Sequence, residues 1–322
     1  MSSPCHEFVQ LLFAPSRSTL YKLRCLYKNC VPAKTFGTSS ARAFLYLRPN
    51  TLADAVHALA NSGGQILAGG TDFFPLLGDR PVRGPVVDIS GLRELKGVIR
   101  DPQYLRIGGL TTWTEIIKTP LPRCFDGLKA AAREIGGVQI QNRGTVAGNL
   151  CNASPAADSV PPLLALDAEV ELVSHSGARR MPLQQFILGN RKTQRRPDEI
   201  LSQIFIPRAL EDASSTFLKL GARRYLVISI VMVAVAIDKD SAGCVGEARI
   251  SVGSCSAVAR RLIELERALL GAPVEAGIGL LATPAHLAGL SPLDDVRATA
   301  TYRREAALRL VQRALDSCAG SE

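Results

Sequence analysis

The stretch RGTVAGNLCNASPAAD, residues 143–158, decides the reading of this chain. It holds two glycines, two asparagines, a threonine, a serine, a proline and a closing aspartate, with few large side chains. An apolar run, VPPLLALDAEVEL, follows at once. A second glycine turn, LAGGTD at 67–72, lies earlier. Neither turn is a P-loop, because no Gly-Lys-Ser/Thr follows, and neither is GxGxxG. A GxSxG hydrolase elbow is also missing. Both turns gather unobstructed backbone N–H groups beside a hydroxyl, Thr71 or Thr145. Consecutive amides curled this way form an anion-binding nest. Glycine serves there because a Cβ would keep a ligand off the backbone. Two facing nests could hold a pyrophosphate without a lysine. Asp72 and Asp158 would repel phosphate, so they read as acceptors for sugar hydroxyls or as turn caps. Asn149 and Asn152 can donate and accept, which suits a heterocycle edge or turn bonding.

Around these turns the chain reads as α+β. The segments 43–49 and 65–70 suggest strands, joined by a helix over 51–64 that Thr51 caps and Gly63-Gly64 end. Strands are predicted at 86–90 and 105–113, and a helix at 127–136. Residues 168–183 read as a hairpin turning at Ser176-Gly177, and 198–207 as a strand. From about Thr216 the pattern turns to antiparallel strands. Three helices close the chain, over 257–270, 275–287 and 303–317. The last has an apolar face at Ala307, Leu310, Val311, Ala314 and Leu315.

Composition narrows the function classes. The 322 residues are 47% hydrophobic and 21% charged, with a net charge of +9. Much of that charge lies in residues 1–43, where six cations face one acid, Glu7. The remainder shows no basic run with interleaved aromatics, so nucleic acid is not the expected partner. The longest apolar run, Tyr225–Ile237, is too short for a membrane-crossing helix and is rich in β-branched residues. No membrane span is read. Eight cysteines form no CxxC pair and four histidines lie far apart, so no metal site is predicted. Scattered thiols in so long a chain suggest a reducing, cytoplasmic setting. Cys151 reads as a packing thiol, Trp113 and Tyr104 as packing aromatics, and His57 as solvent-facing. No catalytic acid, base or nucleophile is predicted.

ILAGGTDFFPLL and GGVQIQNRGTVAGNLCNASPAADSVPPLLALDAEVEL together resemble the FAD-binding medium subunit of molybdenum hydroxylases. These are enzymes of the xanthine dehydrogenase, carbon monoxide dehydrogenase and 4-hydroxybenzoyl-CoA reductase types. PDEILSQIFIP and FLKLGARR fall in order behind them, so the resemblance spans about residues 44–318. It implies a two-subdomain FAD-binding domain over 44–217, split into about 44–97 and 98–217. A small C-terminal α+β domain over 218–322 follows; residues 1–43, basic and poor in acids, read as a disordered leader or as translation from an upstream start codon. The cofactor implied is FAD. Its pyrophosphate would lie on Ile66, Leu67, Ala68, Gly69, Gly70, Thr71, Asp72 and Phe73, and its ring near Ile135 and Gly136. Gly144, Thr145, Gly148, Asn149, Cys151 and Asn152 would form a second wall. Asp158 would bind hydroxyls, and Leu201 and Lys219 would sit at the adenine side. The implied role is electron transfer from iron–sulfur centres of a partner to an external small-molecule acceptor. The partners implied are a molybdopterin-binding large subunit and a small subunit with 2Fe-2S clusters. The alternative is a stand-alone FAD-dependent oxidoreductase of related fold. The chain departs from the family at Ala147, often glycine there, and at Val227-Ile228-Ser229, commonly Asp-Ile-Ala. It also lacks the four-cysteine insertion that the benzoyl-CoA reductase type can carry.

Overall fold

A computed structural model describes residues 45–320. The basic leader expected over 1–43 lies outside the described residues. The first unit alternates strands and helices: β1 (Tyr46–Leu47), α1 (Leu52–Ser62), β2 (Gln65–Leu67), α2 (Phe73–Leu77) and β3 (Val86–Asp88). The three strands are parallel in the order β1-β3-β2. At the start of α1 the Thr51 hydroxyl accepts from the Asp54 N–H, and Gly63 closes the helix at φ 60°. Ala55, Val56 and Leu59 of α1 pack into one core with Val87, Ile89 and Leu92.

The second unit holds β4 (Val98–Arg100), β5 (Tyr104–Gly108), α3 (Trp113–Lys118), α4 (Asp126–Glu134), α5 (Val138–Gln141), α6 (Val146–Asn152) and α7 (Val160–Ala165). Then come β6 (Glu169–Ser174), β7 (Gly177–Pro182), α8 (Leu183–Phe186), the small ribbon β8 (Ile187–Gly189) and β9 (Lys192–Thr193), and β10 (Ile200–Pro207). Its sheet is antiparallel in the order β4-β5-β10-β6-β7. Ile204 stands opposite Ile107 on one side and Val170 on the other. These three join Trp113, Phe125, Leu150 and Leu163 in the largest apolar cluster.

The third unit is an antiparallel sheet of β11 (Ser214–Leu220), β12 (Val231–Lys239), β13 (Val245–Gly253) and β14 (Arg260–Arg261). It is covered by α9 (Ile263–Leu269) and α10 (Ala300–Ala319). All five apolar positions expected on the last helix are buried. A small cluster of Ala131, Ala165, Phe217, Met232 and Ala234 joins this sheet to α4 and α7 of the second unit. The fold is α+β, as the sequence pattern indicates.

Several elements differ from expectation. The strand read over 105–113 stops at Gly108, because Thr112 caps α3 with a full capping box to Glu115. The apolar strand starts at Val231 rather than Tyr225, since the chain turns through Leu226 at φ 50°. The helix read over 257–270 shrinks to α9, with Arg260–Arg261 drawn into the sheet. The helix read over 275–287 becomes two short 3-10 turns, Ile278–Leu281 and Pro284–Leu287. Gly277, at φ 94°, and Pro284 interrupt it. Among the described residues no helix is long and apolar enough to cross a membrane.

Candidate functional site

The two glycine turns meet. Gly69 lies so close to the Arg143 carbonyl that a Cβ built on it would stand 1.9 Å from that oxygen. Gly70 adopts φ 78°, and a Cβ there would stand 2.8 Å from the Phe74 ring. The Asn152 amide donates to Asp72 Oδ1 at 3.2 Å, bridging the turns from the other end. Both turns therefore border one cleft of about 430 Å³.

The second turn is not bare loop. Its middle is helix α6, and the Thr145 hydroxyl accepts from the Gly148 N–H at 3.1 Å as its cap. The corner after β5 fixes this helix start. Trp113 N–H donates to the Gly144 carbonyl, Val146 N–H to that of Thr111, and Ala147 N–H to that of Gly109. Asn149 accepts from the Ser159 hydroxyl at 2.6 Å, so part of its polar capacity holds the following turn. Around the first turn, the N–H groups of Gly69, Gly70, Thr71 and Asp72 make no hydrogen bond among the described residues. Donors left open beside a cleft suit an anion.

Most residues singled out from the sequence border this cleft. Ile66 and Ala68 through Phe73 supply one stretch of its lining, and Gly144, Thr145, Gly148, Asn149, Cys151 and Asn152 another. Ile135 and Leu201 line it too. Leu67, Gly136, Asp158 and Lys219 do not. Gly136 turns the chain at φ 58° against Ile140, which lines the cleft in its place. Asp158 and Lys219 bind each other: Nζ donates to Oδ2 at 2.7 Å, and Ser229 donates to Oδ1. Both side chains are over nine-tenths buried. Burial pushes the Asp158 carboxyl above its ordinary range, and this outweighs the pull of Lys219. Asp158 and Lys219, expected at the cofactor's hydroxyls and adenine side, thus form a buried pair outside the lining of the cleft. Both atoms of the Asp158 carboxylate have protein partners, as does the ammonium.

The other titratable groups give the cleft little chemistry of its own. Asp72, its one acid among the described residues, accepts from Asn152. The Cys151 thiol is pushed up to about 11 by burial, so it is a packing thiol at neutral pH. Trp113 is 1% exposed and belongs to the core while its edge borders the cleft. Sequence reasoning missed Gln65, Ile140, Arg195, Pro197 and Ile200 in the lining. Arg195 was hidden in the run RKTQRR, which reads as a solvated basic surface.

With this geometry in view, the chain can be set beside known proteins. Residues 39–209 match the family described as FAD binding domain in molybdopterin dehydrogenase. Residues 216–318 match the CO dehydrogenase flavoprotein C-terminal domain. The chain belongs to the FAD-binding subunits of molybdopterin dehydrogenases. It is similar to the xanthine dehydrogenase FAD-binding subunit of Escherichia coli O157:H7, with 34% identity over 83% of this chain and 91% of that protein. The nicotinate dehydrogenase FAD-subunit of Eubacterium barkeri is 34% identical over 72% of this chain and 81% of that one. The solved carbon monoxide dehydrogenase of Hydrogenophaga pseudoflava superposes with a TM-score of 0.77. The identity is 27%, over 85% of this chain and 96% of that one. The chain is therefore an oxidoreductase subunit, and its cofactor is FAD.

The cleft fits that cofactor. FAD carries an anionic diphosphate, and the open amides of Gly69 to Asp72 suit such a charge. The apolar side chains of Ile135, Ile140, Ile200 and Leu201 offer flat ring systems a dry surface.

Proposed function

We propose that this FAD-binding subunit is the electron-transfer component of a multi-subunit molybdenum hydroxylase. Bound FAD supplies reversible one- and two-electron chemistry between centres that cannot exchange electrons directly. The amides of Gly69 to Asp72 hold the diphosphate, and α6 with its capped start forms the adjoining wall. Ile135 and Ile140 lie beside the ring, and Leu201 with Ile200 beside the adenine. The partners are a molybdopterin-binding large subunit and a small 2Fe-2S subunit, and a small molecule takes the electrons onward. The described cysteines are all free thiols, which supports a reducing setting such as the cytoplasm.

One observation carries this reading. Among the described residues the cleft has open backbone donors but no reactive side-chain pair, since Asp72 is bonded to Asn152 and the Cys151 thiol stays protonated. Chemistry there belongs to a bound group. The test is to purify the chain alone and with its partner subunits. The reading expects stoichiometric flavin absorption, released as FAD by acid, and co-purification of a molybdenum-containing and an iron–sulfur polypeptide. A colourless chain that takes up no FAD would end the cofactor assignment. A flavin-loaded chain that oxidises substrate alone would favour a stand-alone oxidoreductase.

A further inference from the structure

Arg195 is the only cationic side chain that lines the cleft among the described residues. It lies in the loop between β9 and β10, half-buried. Its Nη1 donates to three backbone carbonyls, those of Arg196 at 2.9 Å, Pro197 at 3.3 Å and Glu199 at 2.8 Å. These bonds fix the guanidinium without neutralising it. No carboxylate pairs with it among the described residues, and the adjacent Glu199 is taken by Arg179 at 2.6 Å. The Nε and Nη2 donors of Arg195 make no hydrogen bond among those residues, so one edge of the fork stays available.

The position of this edge matters. Arg195 lies near enough to Cys151 for its charge to act on that thiol. Cys151 adjoins Asn152, which is bonded to Asp72 in the first glycine turn. The wall that carries Arg195 thus reaches the turn with the open amides. Amides attract an anion only as dipoles, whereas a guanidinium brings full charge in a fork that matches phosphate oxygens. A fixed, partly desolvated cation with no acid of its own is incomplete until an anion arrives.

We propose that Arg195 binds the diphosphate of the cofactor, as the charged partner of the neutral Gly69–Asp72 amides. This rests on FAD occupying the cleft. Arg195 then sets affinity through the ADP portion of the cofactor and leaves the riboflavin portion untouched. It also makes that affinity sensitive to ionic strength, because a partly exposed charge is screened by salt.

The test uses the full chain stripped of flavin. Titration calorimetry follows FAD, ADP and riboflavin at low and high salt, with wild type, Arg195→Gln and Arg195→Lys. Glutamine keeps a donor for the loop carbonyls and removes the charge; lysine keeps the charge and loses the fork. For Arg195→Gln, FAD and ADP should weaken roughly tenfold or more, the worth of a charge-assisted hydrogen bond. Riboflavin, which lacks phosphate, should bind as before. The salt dependence seen for ADP in wild type should flatten in Arg195→Gln and persist in Arg195→Lys. Unchanged ADP affinity in Arg195→Gln would overturn the proposal. So would an equal loss for riboflavin, which marks a role in loop structure only. A wild-type chain that binds neither FAD nor ADP would fail at the earlier step, the placement of FAD in this cleft.

Discussion

At the scale of single residues, glycine has a different task from the one its pattern suggests. From sequence, the glycines of both turns read as openings for a phosphate. In the fold, Gly69 is first a place where two backbones touch. A Cβ there would meet the Arg143 carbonyl oxygen at 1.9 Å and its carbon at 2.7 Å, and backbone cannot swing aside as a side chain can. Gly69→Ala should therefore push the turns apart. We expect FAD content per chain to fall sharply and stability to drop by about 1–3 kcal/mol, as in overpacked cores. Flavin absorbance per polypeptide and a thermal melt would measure both. Gly189→Ala serves as the control, since a Cβ there meets nothing within 4 Å and should leave flavin content intact. Normal flavin loading in Gly69→Ala would show that closure of the turns is not needed. Asp158 and Lys219 teach the converse. Each alone reads as a ligand-binding group, and only the fold shows that they satisfy each other across 61 residues of chain.

At the scale of elements, what was legible follows from local signals. Helix α1 announces itself by a threonine cap and a closing glycine, and both act as read, while Ala55, Val56 and Leu59 supply its buried face. The apolar face of α10 is equally plain. The short helices α2, α3 and α6 were missed, because their caps lie inside glycine-rich turns that mimic strand ends or loops. A one- or two-turn helix has too few positions to show a period. The closing region misled for the opposite reason, since its apolar spacing looks helical while Gly277 and Pro284 break it. That region is held instead by Asp316 of α10, which accepts from the N–H groups of Gly277 and Gly279. The loop that leads into α10 is held by polar contacts around Asp295. The N–H of Arg297 donates to its carboxylate at 2.8 Å, and Arg303 of α10 binds it at 2.7 Å. The Arg297 N–H, aided by Arg303, holds the Asp295 carboxyl down to about 2, from an ordinary 3.8. A depressed carboxylate contributes stability that is complete above its unfolded value and is lost as pH falls toward its folded value. The loss belongs between pH 3.8 and about 2. Asp295→Asn should lower stability at neutral pH and flatten this part of the acid profile, as urea melts in that window would report. An unaltered slope would show that Asp295 does not anchor α10.

At the scale of the whole molecule, the contacts that join the FAD-binding part to the C-terminal sheet include two of unlike kind. One is the apolar cluster of Phe217, Met232 and Ala234 with Ala131 and Ala165. The other is the buried Asp158–Lys219 pair with Ser229, which ties the turn before α7 to β11. Ser229 takes part here by placing a hydroxyl beside the carboxylate. Burial raises the Asp158 carboxyl above its ordinary value despite Lys219, so removing water from the carboxylate costs more than the ammonium returns. Such a pair is needed less for net stability than for mutual neutralisation. Removing one partner leaves the other as a buried, uncompensated charge. Asp158→Asn and Lys219→Met should each destabilise by about 3–5 kcal/mol at neutral pH. The double variant should lose much less than their sum, because it buries no charge at all. The pH profile supplies an independent check. A raised carboxyl favours the folded state most when protonated, so the Asp158 contribution is complete below pH 3.8 and is lost as pH rises through its higher folded value. That slope should vanish in the double variant. Guanidinium unfolding of the four proteins of this cycle at several pH values measures both effects, and strictly additive losses would mean that the two residues stabilise the junction independently.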